Sequence, residues 1–203
     1  MSNTHLEGGL TTVDVQTPFG TVSQVTVGLR GKFQVANAAT AITTALFAGK
    51  LTGRLITDQA IRRALRNVQF VGRMEVMQDS PLVIIDGAHN PQKMSAAALA
   101  LQELYPERSK VAVVGMVASK NAEQSLAELM PVIDGLIASS PNLAWKECYA
   151  ASQLASITRN LRPNLAVHVV PDVQNAVRRA MTIYPEAAIL VTGSIYMLEA
   201  VRD

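Results

Sequence analysis

The sequence predicts a two-part α/β protein: a Rossmann-like domain with a mostly parallel sheet over residues 71–203, preceded over residues 1–70 by a hairpin and helices. Three observations carry this expectation. Beyond Val71 the chain repeats strand, turn and helix. The strands there are short aliphatic runs without polar alternation, the pattern of parallel strands covered on both faces. Before Val71 the pattern is instead a pair of alternating segments around a turn.

In chain order, residues 11–16 and 22–29 alternate on either side of Pro18-Phe19-Gly20 and read as a two-stranded hairpin. A helix is expected over 35–48, with Asn37 near its start and Gly49 as a stop signal. A second is expected over 58–67, capped by Thr57 or Asp58. One hairpin and two helices make a thin core, so this part is expected to lean on something outside the sequence. In the second part, strands are expected at 82–86, 111–116, 135–139, 166–170 and 187–192. The helices between and after them are expected near 91–104, 121–131, 147–160, 172–183 and 195–202. At the end of the first of these strands, Asn90 caps the next helix and Pro91 takes its first turn, where proline is tolerated.

Composition bounds the function. The chain has 203 residues, of which 49% are hydrophobic and 17% charged, and a net charge of +2, so it buries a real core and is no disordered segment. Arg62-Arg63 and Arg178-Arg179 are short clusters on predicted helices and read as solvated faces, not as a nucleic-acid footprint. No apolar run approaches the ~20 residues of a membrane helix, and the first residues lack the regions of a signal peptide. The single Cys148 excludes an intrachain disulfide, reads as a packed thiol and fits a reducing, cytoplasmic setting. His5, His89 and His168 are far apart in sequence, so a dedicated zinc site has little support and no residue is assigned to a metal.

Two nucleotide motifs are absent. The only near match to a P-loop, Gly49-Lys50-Leu51, has Thr44 where the first glycine belongs and no hydroxyl after the lysine. Gly115 stands alone after its strand, so there is no dinucleotide fingerprint. Polar residues collect instead at strand ends: Gly72-Arg73-Met74-Glu75 just before the first strand of the second part, Asp86 and His89 after it, Ser119-Lys120 after the next, and Ser194 and Tyr196 after the last. Carboxyl ends of parallel strands share one sheet edge, so these residues are expected to converge. An arginine, a lysine, a carboxylate and a helix N-terminus suit an anionic ligand, with phosphate the obvious anion. Singly, each has a plainer reading: Asp86 caps a turn, His89 is a surface histidine, Arg73 pairs with Glu75, Asn37 is a helix cap. The methionines, including Met74, Met77 and Met94, and Trp145 read as packing.

Four blocks, in order, carry a family resemblance: residues 31–39 (Gly-Lys-Phe-Gln-Val-Ala-Asn-Ala-Ala), Gly72-Arg73-Met74-Glu75, Ile85-Asp86-Gly87-Ala88-His89-Asn90-Pro91, and Thr192-Gly193-Ser194-Ile195-Tyr196. Together they resemble folylpolyglutamate synthase/dihydrofolate synthase, a branch of the Mur ligase superfamily. The resemblance implies the end of the central ATPase domain (1–70) followed by the C-terminal glutamate-ligase domain (71–203), with the P-loop, the folate-binding residues and most magnesium ligands upstream. It implies ATP and Mg2+ as cofactors, and ATP, L-glutamate and a folate or dihydropteroate as small-molecule partners of a monomer. The implied reaction is amide formation through an acyl phosphate, for which the isolated chain is expected to be inactive. By position, the resemblance assigns Asn37, Arg73 and Asp86 to the nucleotide, His89, Ser194 and Tyr196 to glutamate, and His89 and Lys120 to catalysis. Two other readings stay open: a Mur-type ligase acting on a cell-wall precursor, and a non-catalytic α/β binding module.

Overall fold

The computed structural model describes residues 2–202. It divides the chain into two compact units, Met1–Val71 and Gly72–Asp203. The first holds β1 (Ser2–Glu7), β2 (Leu10–Thr17), β3 (Gly20–Val27), α1 (Phe33–Thr52) and α2 (Asp58–Arg66). The second holds β4 (Glu75–Asp79), β5 (Leu82–Ile85), α3 (Pro91–Leu104), β6 (Lys110–Val114), α4 (Ala122–Ala127), β7 (Gly135–Ala138), α5 (Ala151–Leu161), β8 (Ala166–Val169), α6 (Val173–Ile183), β9 (Ala188–Thr192) and α7 (Met197–Arg202).

In the first unit β1 adds to the hairpin β2-β3 in a three-stranded antiparallel sheet, β1-β2-β3, with β2 in the centre. Val13, Val15, Val22 and Val25 are buried on this sheet and pack against Val35, Ile42 and Ile61 from the helices. β1, a strand the hairpin reading lacks, pairs through Leu6 with Thr11 and is too polar to show an apolar alternation. Gly49 does not stop α1. A Cβ there would lie 2.7 Å from both Arg54 O and the Ile56 side chain, so this glycine lets the returning chain touch the helix. The stop is Gly53, left-handed at φ 67°. Asn37 is likewise no cap, because α1 starts at Phe33 and Asn37 sits in its second turn. Thr57 caps α2, accepting the Ala60 N–H. The outer side of this unit keeps Phe47, Leu51 and Leu55 exposed, the last at 87%.

In the second unit a six-stranded sheet runs β4-β5-β9-β6-β7-β8. β5 through β8 are mutually parallel, and β4 is an antiparallel edge strand paired with β5. The alternation missed β4 because its residues are half-buried or exposed and mostly polar. β5, β6, β7 and β9 are buried at every position, which is why they read as unbroken aliphatic runs. β8 departs from that pattern: as the other edge it is only partly covered. On one face Val83, Ile85, Val111, Val113, Ile189 and Val191 meet α6 and α7. α3 lies on the other, where Met94 reaches the Thr192 hydroxyl.

The last strand inserts between the first two parallel ones, so the turn after β9 lies between the turns after β5 and β6. There Gly193, at φ 102°, donates its N–H to Ala88 O. A Cβ at Gly193 would lie 2.5 Å from Gly115 O. Replacing Gly193 by alanine is expected to cost about 1–3 kcal/mol through the positive φ and this contact. Urea denaturation of the chain measures it, and an unchanged midpoint would contradict the geometry.

Candidate functional site

The strand ends of the second unit are tied together by backbone hydrogen bonds before any side chain is added. Asp86 N–H donates to Val191 O, Gly87 N–H to Gly72 O and Gly115 N–H to Thr192 O. Gly72 N–H donates to the Glu75 carboxylate at 2.7 Å. Asp86 is buried at 3% exposure and accepts two backbone donors: Met74 N–H on Oδ2 at 3.0 Å and Ala88 N–H on Oδ1 at 2.8 Å. Met74 is fully buried and left-handed at φ 46°, a strained conformation for a side chain of its size. Asp86 thus fixes the loop that presents Arg73. Burial raises the Asp86 carboxyl above the ordinary aspartate value, against the amides of Met74 and Ala88 and the charges of Arg73 and Lys93, which all lower it.

His89 ends the turn after β5. Its Nδ1 is 2.8 Å from Gly87 O, and because a carbonyl only accepts, Nδ1 carries the proton. That leaves Nε2 as an acceptor, 3.3 Å from the Lys93 ammonium. Burial pushes the His89 ring below the ordinary histidine value; the Gly87 hydrogen bond opposes this, and the charges of Lys93, Lys120 and Arg73 reinforce it. His89 is therefore a neutral group among three cations. The turn leads into α3, where Asn90 accepts the Lys93 N–H and Pro91 sits in the first turn, as the sequence predicts.

Lys120 comes from the loop after β6, whose shape a later segment holds: the Tyr149 hydroxyl donates to Lys120 O at 3.2 Å, and Val117 bridges Cys148. The helix expected from 147 begins only at Ala151, because residues 147–149 are spent on this pairing. Ser194 is buried at 3% exposure, and its Oγ accepts the Tyr196 N–H at 3.3 Å. The Tyr196 ring meets Trp145 edge to face, with centroids 5.1 Å apart. Trp145 is not core packing: it is 68% exposed.

The structure thus gathers Arg73, Asp86 and His89 on linked turns, with Lys120 near enough to act on His89 and Ser194 one residue from the Gly193 contact with Ala88. Asn37 belongs to the first unit, where its side-chain amide donates to Gln34 Oε1 at 2.8 Å. Sequence reasoning missed Lys93. Its signal is its spacing, four residues after His89 across the first turn of a helix. Among the described residues no three His, Cys, Asp or Glu side chains gather as a metal-binding group. Nor is any described helix long and apolar enough to cross a membrane. A cavity of about 650 Å³ opens near the ends of β7 and β8, but its lining includes Asp172 and no lysine or arginine, so it does not suit an anion. The cationic turn around His89 does.

Comparison with known proteins gives this geometry a context. Residues 72–195 match the model of the Mur ligase, glutamate ligase domain. The chain is 29% identical over 188 residues to folylpolyglutamate synthase of Lacticaseibacillus casei, covering 91% of this chain and 41% of that protein. It is 29% identical over 197 residues to dihydrofolate synthase/folylpolyglutamate synthase of Mycobacterium tuberculosis, covering 90% and 40%. Crystal structures of the M. tuberculosis folylpolyglutamate synthase complexed with ADP and AMPPCP superpose with a TM-score of 0.88 at 25% identity, covering 99% of this chain and 46% of that one. The chain therefore spans about two-fifths of the length of these curated relatives.

The Asp86 bonds make a stability prediction. Asp86→Ala strands two buried amides, at a cost of about 1–3 kcal/mol each. Because the folded-state pKa of Asp86 is raised, the folded protein holds this proton more tightly than the unfolded chain. The associated stability is present below the ordinary aspartate value and is lost as pH rises through the raised one. Denaturation of both forms against pH should show a deficit in Asp86→Ala that shrinks across that window; a deficit that grows there would contradict the assignment.

Proposed function

We propose, from the premise that the chain belongs to the Mur ligase family by its glutamate ligase domain, that it supplies the C-terminal part of an ATP-dependent ligase joining L-glutamate to a folate. Such a reaction phosphorylates a carboxylate to an acyl phosphate, lets the glutamate amine attack the acyl carbon, and expels phosphate. The observation that carries the reading is the neutral His89 set among Arg73, Lys93 and Lys120 at the strand ends. Negative charge builds on the transferred phosphoryl group and on the tetrahedral intermediate, so cations already in place lower the barrier without reorganising.

Each residue then has a task set by its chemistry. Arg73, fixed by the Asp86-anchored loop, offers a planar fork to phosphate oxygens. Lys93 and Lys120 add charge from the first turn of α3 and from the β6 loop, and the α3 N-terminus adds its dipole. The Nε2 lone pair of His89, now facing Lys93, is the acceptor an incoming amine needs when it loses a proton. Ser194 and Tyr196 are assigned to the glutamate, and Asn37 to the nucleotide. Asp86 acts through the loop, since both its oxygens already serve backbone amides. The chemistry assigned to these residues is cationic and protonic.

The first unit completes the picture. Its exposed Phe47, Leu51 and Leu55 are the face on which the rest of an ATPase domain packs. The chain has no P-loop of its own, so alone it should not hydrolyse ATP.

In the complete gene product carrying these residues, ADP release should depend on both glutamate and a folate acceptor. His89→Ala should lower kcat/KM for glutamate by about 10²–10⁴. The neutral ring is the working form and its pKa is lowered, so the acid limb of the kcat/KM profile should lie below the ordinary histidine value. Glutamate-dependent turnover by the chain alone, or an unchanged kcat/KM in His89→Ala, would refute this reading.

A further inference from the structure

Beside Ser194 lies a side-chain cluster in which Tyr196 alone has a task so far, while Trp145 and Lys146 have none. Trp145 and Tyr196 meet at an interplanar angle of 89°, and the Lys146 ammonium stands over both rings, 5.6 Å from the Trp145 centroid and 5.4 Å from that of Tyr196. Trp145 is largely exposed, whereas Lys146 and Tyr196 are half-buried. The cluster is held at two points. Ser194 Oγ accepts the Tyr196 N–H, and the segment after Lys146 pairs with the β6 loop through Ala118 N–H to Glu147 O and Tyr149 N–H to Met116 O. No carboxylate of the described residues forms an ion pair with Lys146, so its ammonium is positioned by ring faces alone.

We infer that Trp145, Lys146 and Tyr196 form a carboxylate-binding subsite that selects an acidic amino acid, with Lys146 pairing one carboxylate and the indole covering the methylenes. The inference rests on the proposed ligase reading for the identity of the amino acid as glutamate. Three features favour a carboxylate over a nucleotide base. The ammonium covers both rings, the edge-to-face contact leaves no parallel slot for a third ring, and a fixed cation without an acidic partner calls for an anion. Lys146 is on this account a specificity-determining residue. A neutral amino acid of the same shape would leave its charge unmatched.

Trp145 is the single tryptophan of the chain, so its fluorescence reports on this cluster alone. Titrating the chain with L-glutamate at constant ionic strength should give a saturable change in emission that L-glutamine does not produce. Lys146→Gln should weaken it at least about tenfold, the loss expected for a charge-assisted hydrogen bond, and Lys146→Arg should retain it. In the complete gene product the same variant should raise KM for glutamate by a similar factor while leaving KM for ATP unchanged. An absent response to glutamate, an equal response to glutamine, one that survives in Lys146→Gln, or a response to ADP alone would overturn the subsite. The proposed reaction fails separately: if the complete protein shows no glutamate-dependent turnover while the fluorescence response stands, the carboxylate subsite is upheld and the ligase reading falls. Turnover with an unaltered KM for glutamate in Lys146→Gln leaves the ligase and removes the subsite.

Discussion

The Asp86 carboxylate, shared between the amides of Met74 and Ala88, is the interaction on which the strand-end site depends. One oxygen holds the entry to β4 and the other holds the exit from β5, so two antiparallel neighbours are locked at the end where Arg73 and His89 emerge. Without it the left-handed Met74 has no backbone partner to offset its strain, and Arg73 loses its fixed origin. Both Asp86 oxygens accept backbone amides and the side chain is buried, so the acid acts on the site through the loop that carries Arg73.

Topology supplies the rest of the convergence. Because β9 enters between β5 and β6, residues over a hundred positions apart become neighbours along one edge, and Gly193 bonds directly to Ala88. That packing is close enough to exclude a side chain at Gly193. Tyr196, after β9, also meets Trp145 from the segment after β7, although β6 lies between those two strands.

What could be seen in the sequence follows from how local each cause is. β5, β6, β7 and β9 were legible because burial on both faces demands aliphatic residues at every position. The Asn90 cap and Pro91 were legible because capping is a matter of three adjacent residues. β1 and β4 were not, since edge strands with polar side chains leave no periodic signal. Gly49 misled because a glycine that admits a close neighbour looks the same as one that ends a helix. Arg73, Asp86 and His89 stood out as polar residues at strand ends, but the job of Asp86 as an anchor for Met74 depends on β4, which the pattern hid. Trp145 was read as packing because large aromatics usually are; it is largely exposed, and its ring partner, Tyr196, comes from the far end of the chain.

The electrostatics of the site also constrain its chemistry. His89, its proton committed to Gly87 O and its pKa lowered by burial and by the charges of Lys93, Lys120 and Arg73, rests neutral and keeps the Nε2 lone pair as an acceptor. On the proposed ligase reading the three charged side chains would hold an anion and His89 would receive a proton, a division of labour that suits attack on an acyl phosphate by an amine that must shed one. Lys93 bears on both roles, since its ammonium stands 3.3 Å from His89 Nε2. On the same reading, an incoming anion that recruited Lys93 would uncover this acceptor as the amine needs it, which would couple filling of the anion site to activation of the nucleophile.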